Sequence, residues 1–403
     1  MKTIKRYFAT AGIAAMFLSG SLYAETDVSH NWNAEGEAAA LAVFKATYES
    51  LGGTWKESAF PSTEDSQASA KTRFLGGDPP MVVQGVLGGS TADFANAGMS
   101  ADLSAYAAAG NWDELYPAGL AASGKHNGTW VSVPVFVDTV NWLFTNKSVL
   151  DAAGINEPNS WRDFIFSLQA LKQHGVIPLA IGGEDWQETV AFDHILLAAG
   201  GADFYERVMS GDLDAIGSGT MVDAFTKFSF IREFTDEGKA GRSWNDTNNL
   251  VVSGKAAYIF MGPWATGGYG EMEEGKDWSC RLTPWSEAVA ALADGFHFLK
   301  SDNAGDQEAQ RLFAAALTDP DTQIEAAAAK GTLPAVKGAD PAKFSGCATK
   351  AVSRMNSGKT VTHWNARSSG LKSALKDTVT AFWNGDMSAA EGRDALLAAV
   401  KSN

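Results

Sequence analysis

Apolar, β-rich runs and amphipathic helical stretches alternate along this chain, and they do so twice. A helical pattern over residues 36–50 places Leu41, Phe44 and Tyr48 three and four residues apart. A strand over 54–59, a helix over 66–75 and an apolar strand over 81–86 follow. That order predicts an α/β lobe with a mostly parallel sheet. Residues 131–137 are β-rich but contain Pro134, which argues for an edge or crossing strand. From about residue 137 the alternation restarts, with strands over 140–146 and 177–181 and helices over 161–174 and 186–199. Helices over 221–237 and 248–253 precede a strand over 256–261. The last third reads mainly as helix, over 306–317, 321–330, 371–383 and 388–400. About 380 residues follow the leader described next, too many for one core. With no linker or repeat between the two halves, the fold class is α/β, two intertwined lobes with discontinuous domains.

The first 24 residues combine Lys2, Lys5 and Arg6 with an apolar stretch from Tyr7 to Leu18 and a short polar end. This is the pattern of a secretory leader cut after Ala24, too short for a membrane span. No Cys lies near the cut to take a lipid, so a free periplasmic protein is expected. Losing three cations and no acid takes the net charge from −15 to −18. Such a surface repels nucleic acid. Cys280 and Cys347 are the only cysteines. In an oxidising compartment they pair by default, two buried free thiols being the alternative.

Catalytic signatures are absent: there is no G-x-S-x-G, H-E-x-x-H, Walker loop, G-x-G-x-x-G or close Cys/His cluster, and the six histidines are scattered. No enzyme activity, metal or cofactor is expected. A secreted glycoside hydrolase, which needs only two well-spaced carboxylates, is the competing class. The 13 tryptophans are the distinctive feature. Several sit among polar residues: Asn31-Trp32-Asn33, Asp185-Trp186-Gln187, Ser243-Trp244-Asn245-Asp246, Gly262-Pro263-Trp264 and His363-Trp364-Asn365. An indole face packs on the C–H face of a sugar ring while neighbouring amides and carboxylates take its hydroxyls. Each single Trp is equally at home in a core.

Gly262-Pro263-Trp264-Ala265 after an apolar strand resembles the same stretch in maltose-binding proteins. Over nearly the whole mature chain the sequence resembles the periplasmic glucose-binding subunits of bacterial ABC importers, members of extracellular solute-binding protein family 1. Lys71-Thr72-Arg73, Gly77-Asp78-Pro79-Pro80, Trp112-Asp113-Glu114-Leu115, Val140-Asn141-Trp142-Leu143, Lys330-Gly331-Thr332-Leu333-Pro334 and Thr362-His363 carry that resemblance. It implies a ligand site of Trp32, Glu37, Lys71, Trp186, Gln187, Trp264, Asp294, Lys330 and His363, with Trp244 as a further candidate. It also places Cys280 and Cys347 where the family has its cysteine pair. The family's double Trp becomes Asn31-Trp32, and a Gly becomes Glu35. Asn31 and Asn33 therefore join the candidates, and the identity of the sugar is open.

The resemblance further implies hinge closure of a monomer over a small saccharide, glucose or a related aldose or short oligosaccharide, with docking on the permease subunits of an inner-membrane transporter. Service to a chemoreceptor is a third reading. The lobes are expected as 25–135 plus 286–333 and 136–285 plus 334–403. The crossings fall near 135–138, 283–286 and 333–336, each with a proline: Pro134, Pro284 and Pro334.

Overall fold

The computed structural model describes residues 24–282, 288–358 and 360–402. The expected leader thus lies outside the described residues except for Ala24, which opens the first strand and pairs with Gly53. In chain order the main strands are β1 (Ala24–His30), β2 (Gly53–Ala59), β3 (Val82–Val86), β4 (Ser132–Thr139), β5 (Trp142–Asn146) and β6 (Ile177–Ala180). They continue with β7 (Ala256–Met261), β8 (Trp278–Leu282), β9 (Val289–Phe298), β10 (Leu333–Pro334) and β11 (Thr360–Thr362).

Two sheets result. The first runs β10-β4-β9-β3-β1-β2, with β11 added beside β9. Its β1, β2 and β3 are parallel, whereas β9 runs antiparallel to both β3 and β4. The second runs β8-β5-β7-β6, with β6 and β7 parallel. The helices that matter below are α1 (Glu35–Ser50), α2 (Thr63–Leu75), α3 (Gly89–Asn96), α4 (Trp161–Gln173), α5 (Asp185–Met209), α6 (Gly219–Arg232) and α7 (Trp244–Val252). After β9 come α8 (Ala304–Thr318), α9 (Pro320–Lys330), α10 (Gly346–Asn356), α11 (Ser369–Asn384) and α12 (Ala389–Ser402). Among the described residues no helix is long and apolar enough to cross a membrane.

Local chemistry explains where these elements start. Ser62 caps α2 by accepting from Asp65 N at 3.1 Å, and Ser243 caps α7 from Asp246 N at 3.2 Å. The predicted stripe of α1, Leu41, Phe44 and Tyr48, is buried against the first sheet, where Phe44 meets Phe136 at 5.8 Å. Every residue of β4, β5 and β7 is buried, as expected for strands with helices on both faces. The second core is rich in aromatic rings. Phe225 and Phe228 of α6 pack on Phe382 of α11, with Phe192 of α5 alongside. Each such buried ring contributes roughly 2 kcal/mol of apolar transfer. This is why α11 and α12, last in sequence, belong with the second sheet's helices.

Three expectations change. Pro134 lies inside the first sheet: β4 remains in it to Thr139, and the chain enters the second sheet at Trp142, so the first crossing is Val140-Asn141. Pro134 fits there because the β4–β9 register shifts between Asp294 and Gly295, and β10 covers only Phe136 and Val137 on the other side. Pro134 O instead accepts from Gln323 Nε2 at 3.1 Å. The crossing expected at 283–286 lies outside the described residues. The segment 334–403 does not belong wholly to the second lobe, because β11 pairs with β9 of the first sheet. Helix α5 runs past its predicted end at 199 and is broken at Gly201, whose φ of 72° marks a kink. Cys280 of β8 and Cys347 of α10 form a disulfide, tying the C-terminal segment to the second sheet.

Candidate functional site

A cavity of about 420 Å³ lies between the lobes and is lined by both. Its floor comes from strand ends and helix termini of the first lobe. Asn31 to Ala34 form the turn after β1, Glu37 stands in the first turn of α1, Gln84 is on β3, Asp138 on β4, Asp294 on β9, and Lys330 ends α9. Lys330 organises this floor. Its ammonium is 2.9 Å from Asp138 Oδ2 and 3.1 Å from Asp294 Oδ2, and it lies 4.9 Å from the Trp32 ring and 4.8 Å from that of Phe136. Thr332 Oγ1 donates to Asp138 at 2.5 Å, while Gln84 Nε2 and Gly295 N donate to Asp294 at 2.7 and 2.9 Å. Both carboxylates and the ammonium are thus multiply bonded, which a buried ion cluster requires.

Burial raises the Asp294 carboxyl above its ordinary range, opposed chiefly by Lys330. Burial also raises Glu37, to about 7, again with Lys330 pulling the other way. Glu37 Oε2 accepts one backbone bond, from Ala34 N at 3.2 Å. Lys330 itself is held well above the usual lysine value: burial disfavours its charge, but Asp138, Asp294 and Glu37 outweigh that. The turn after α9 brings the lobes together. Gly331 has φ of 85°, and a Cβ there would fall 2.2 Å from Thr266 Oγ1 of the second lobe. Only glycine fits both demands.

The second lobe supplies aromatic walls. Trp186, Trp244 and Trp264 are each half-buried and line the cavity beside Glu184 and the segment His363-Trp364-Asn365. The Trp264 ring packs against its own turn: a Cβ at Gly262 would come within 1.9 Å of it. Glu184 accepts from Trp244 N at 2.9 Å and Gln187 Nε2 at 2.7 Å, and burial raises its carboxyl. At the rim, Glu64 of α2 reaches across to Lys376 at 3.5 Å and Lys372 at 3.9 Å on α11, and Lys376 also meets Asp185 at 2.8 Å. Ser369 of α11 donates to Asp93 of α3 nearby.

Of the residues predicted for the site, Asn31, Trp32, Asn33, Glu37, Trp186, Trp244, Trp264, Asp294, Lys330 and His363 all line the cavity. Trp32 does so with only 2% of its surface exposed, packed against Phe136 and Phe296. His363 has both ring nitrogens engaged inside the protein. Its Nδ1 accepts from Asn365 N at 3.3 Å, and its Nε2 sits 2.8 Å from buried Asp193, whose carboxyl burial pushes up. It holds the Trp364-Asn365 turn in place. Lys71 is not brought to the cleft. It is exposed on α2, with its ammonium 5.5 Å from the Phe94 ring, and Gln67 of the same helix lines the cavity instead. Gln187 is buried behind the wall, spending its amide on Gly182 N, Glu184 and Arg242 O.

Sequence reading missed Gln84, Asp138 and Glu184. Gln84 carried a signal, as the lone amide in an otherwise apolar strand. Asp138 likewise ends an apolar run. Several polar atoms around the cleft find no protein partner among the described residues: Gln84 Oε1, Trp364 Nε1 and Asn365 Oδ1. Buried groups of that kind are costly unless something else bonds them. A polar, hydrogen-bonding guest between aromatic walls meets that need.

Two α/β lobes facing each other over such a cleft define a solute-binding protein. The chain belongs to the bacterial extracellular solute-binding protein family, whose model matches residues 59–324. A probable sugar-binding periplasmic protein of Rhizobium meliloti (strain 1021) is 32% identical, over 99% of this chain and 100% of its own length. One of the same description from Brucella suis biovar 1 is also 32% identical, over 93% and 92%. Among solved structures, a chitin oligosaccharide binding protein superposes with a TM-score of 0.81 at 18% identity, over 94% of this chain and 98% of its own. Maltose-bound T. maritima MalE3 gives 0.75 at 20%, over 94% and 99%. These two show the fold.

Proposed function

We propose that this protein is the periplasmic receptor of an ABC importer, capturing a small saccharide between its lobes and presenting it to the membrane permease. The observation that carries the reading is the cleft itself, which sets three half-buried indoles, Trp186, Trp244 and Trp264, opposite a floor of bonded carboxylates and an amide with a free acceptor. A sugar ring offers both an apolar face and a ring of hydroxyls, so one guest satisfies both walls. The names of the full-length relatives, each a probable sugar-binding periplasmic protein, support it. In this reading Trp32, Glu37, Gln84, Asp294 and Lys330 form the polar floor, no bond is made or broken, and closure moves the Trp wall onto the bound ring.

The lobes we assign are 24–139 with 288–334, and 142–282 with the C-terminal helices α10 to α12. After removal of the leader the protein acts as a monomer in the periplasm. A thermal-shift screen of the mature protein against mono- and disaccharides tests the reading. A sugar at 100 times its dissociation constant should add about 2.7 kcal/mol of stability, and Trp264→Ala should remove the shift while keeping the fold. A shift with amino acids or polyamines but with no sugar would overturn it.

A further inference from the structure

The cleft carries a lopsided set of charges. Six carboxylates line it, Glu37, Glu64, Asp138, Glu184, Asp246 and Asp294, against two ammonium groups, Lys330 and Lys372. The ammonium on the floor is not free to meet an anion. Lys330 is committed to Asp138 and Asp294, and Lys372 is drawn toward Glu64 at the rim. Three acids, by contrast, have no ion-pair partner among the described residues: Asp246, which accepts from Ser243 Oγ in the first turn of α7, and the two that face each other across the cleft, Glu37 and Glu184. Glu37 takes a single backbone hydrogen bond from Ala34, and Glu184 takes bonds from Trp244 N and the Gln187 amide, all neutral donors. Of these two, Glu37 belongs to the floor and Glu184 to the aromatic wall, so a guest held between the lobes lies in the field of both.

On the reading that the cleft holds a saccharide, we infer that it selects by charge. It prefers a sugar bearing an ammonium group to its uncharged parent, and it excludes the corresponding uronic acid or sugar phosphate. A carboxylate or phosphate would enter a cleft whose carboxylates outnumber its ammonium groups, where the ammonium of the floor is already committed and the other faces Glu64 at the rim. An ammonium would supply the charged partner that Glu184 lacks and a second one for Glu37, which shares Lys330 with Asp138 and Asp294, and its three donors match their open lone pairs. Burial already pushes both carboxyls up, that of Glu37 even against the pull of Lys330.

The test is titration calorimetry of the mature protein with matched sets differing in one group: glucose, glucosamine, glucuronic acid and glucose 6-phosphate, then galactose, galactosamine and galacturonic acid. Within a set that binds, the expected order is amine, then neutral sugar, then acid. The acid should be weaker than its parent by roughly tenfold or more, since like charges brought together cost several kcal/mol. Glu184→Gln, which keeps shape and hydrogen bonding, should narrow both gaps. An acid binding as tightly as its neutral parent, or an amine binding more weakly than that parent, overturns the charge inference and leaves the saccharide reading standing. Failure of every member, together with failure of the wider sugar screen, removes both.

Discussion

Glu37→Gln isolates one pH-sensitive contribution of the cleft. In the folded chain burial raises this carboxyl from 4.5 to about 7. A group with a raised folded value binds more protons folded than unfolded. Its stability is therefore fully present below 4.5 and is lost as the pH climbs through 7. The difference corresponds to about 3 kcal/mol, because each pH unit of displacement is worth 1.36 kcal/mol. Glutamine has the same shape and no charge to bury, so the variant and the parent should melt together near pH 4.5. By pH 8 the variant should be the more stable by up to about 3 kcal/mol, or roughly 6–12 °C in Tm for a lobe of 150–250 residues. Differential scanning calorimetry of both proteins without sugar, from pH 4.5 to 8, measures this. Taking the difference between the two cancels the titrating groups that do not interact with Glu37. Parallel pH profiles, with no widening gap, would refute a carboxyl raised by burial at this position.

Lys330→Met should behave in the opposite sense. It leaves Asp138 and Asp294 buried without their ammonium, a loss of about 3–5 kcal/mol by chemical denaturation, and stability unchanged from the parent would show that the cluster is not a buried ion pair. Replacing both Cys280 and Cys347 by Ser opens a link spanning 67 residues. By loop entropy this costs about 4 kcal/mol, read as a lower midpoint in urea and matched by the parent in reductant. Glu64→Gln should lower sugar affinity by no more than a few-fold, since a half-exposed pair contributes about 0.2–1 kcal/mol. The effect should shrink at 1 M salt, and an equal effect at both salt concentrations would argue against an ionic cause.

The first sheet's parallel half was legible because its helices carry a clean stripe, such as Leu41, Phe44 and Tyr48, between compact apolar strands. The long strand β9 was not. Val289-Ala290-Ala291-Leu292-Ala293-Asp294-Gly295 is rich in Ala and Gly, which have low strand propensity, and it becomes a strand through pairing on both sides with residues 82–86 and 132–139. Helix α10 was missed for a similar reason: its residues are small and polar, and its burial rests on the disulfide and on Ala348 and Ala351. Resemblance located most of the cleft, yet it could not tell that the β1–α1 turn buries Trp32 in the core, or that His363 turns both nitrogens inward. Those outcomes depend on neighbours distant in sequence, Phe136, Phe296 and Asp193.

The bridge from Glu64 to Lys372 and Lys376 joins the lobes without touching the floor of the cleft. Such a contact weights the shut arrangement whatever occupies the cavity. A receptor whose binding-competent fraction is raised in advance shows a lower apparent dissociation constant by that same fraction. Because the Glu64 end of the bridge is half-exposed, ions weaken it as salt rises, though less than they would a fully exposed pair. On the proposed function, the sugar concentration at which the cleft half-fills would be set partly by the surrounding salt, with tighter capture in dilute water than in brine.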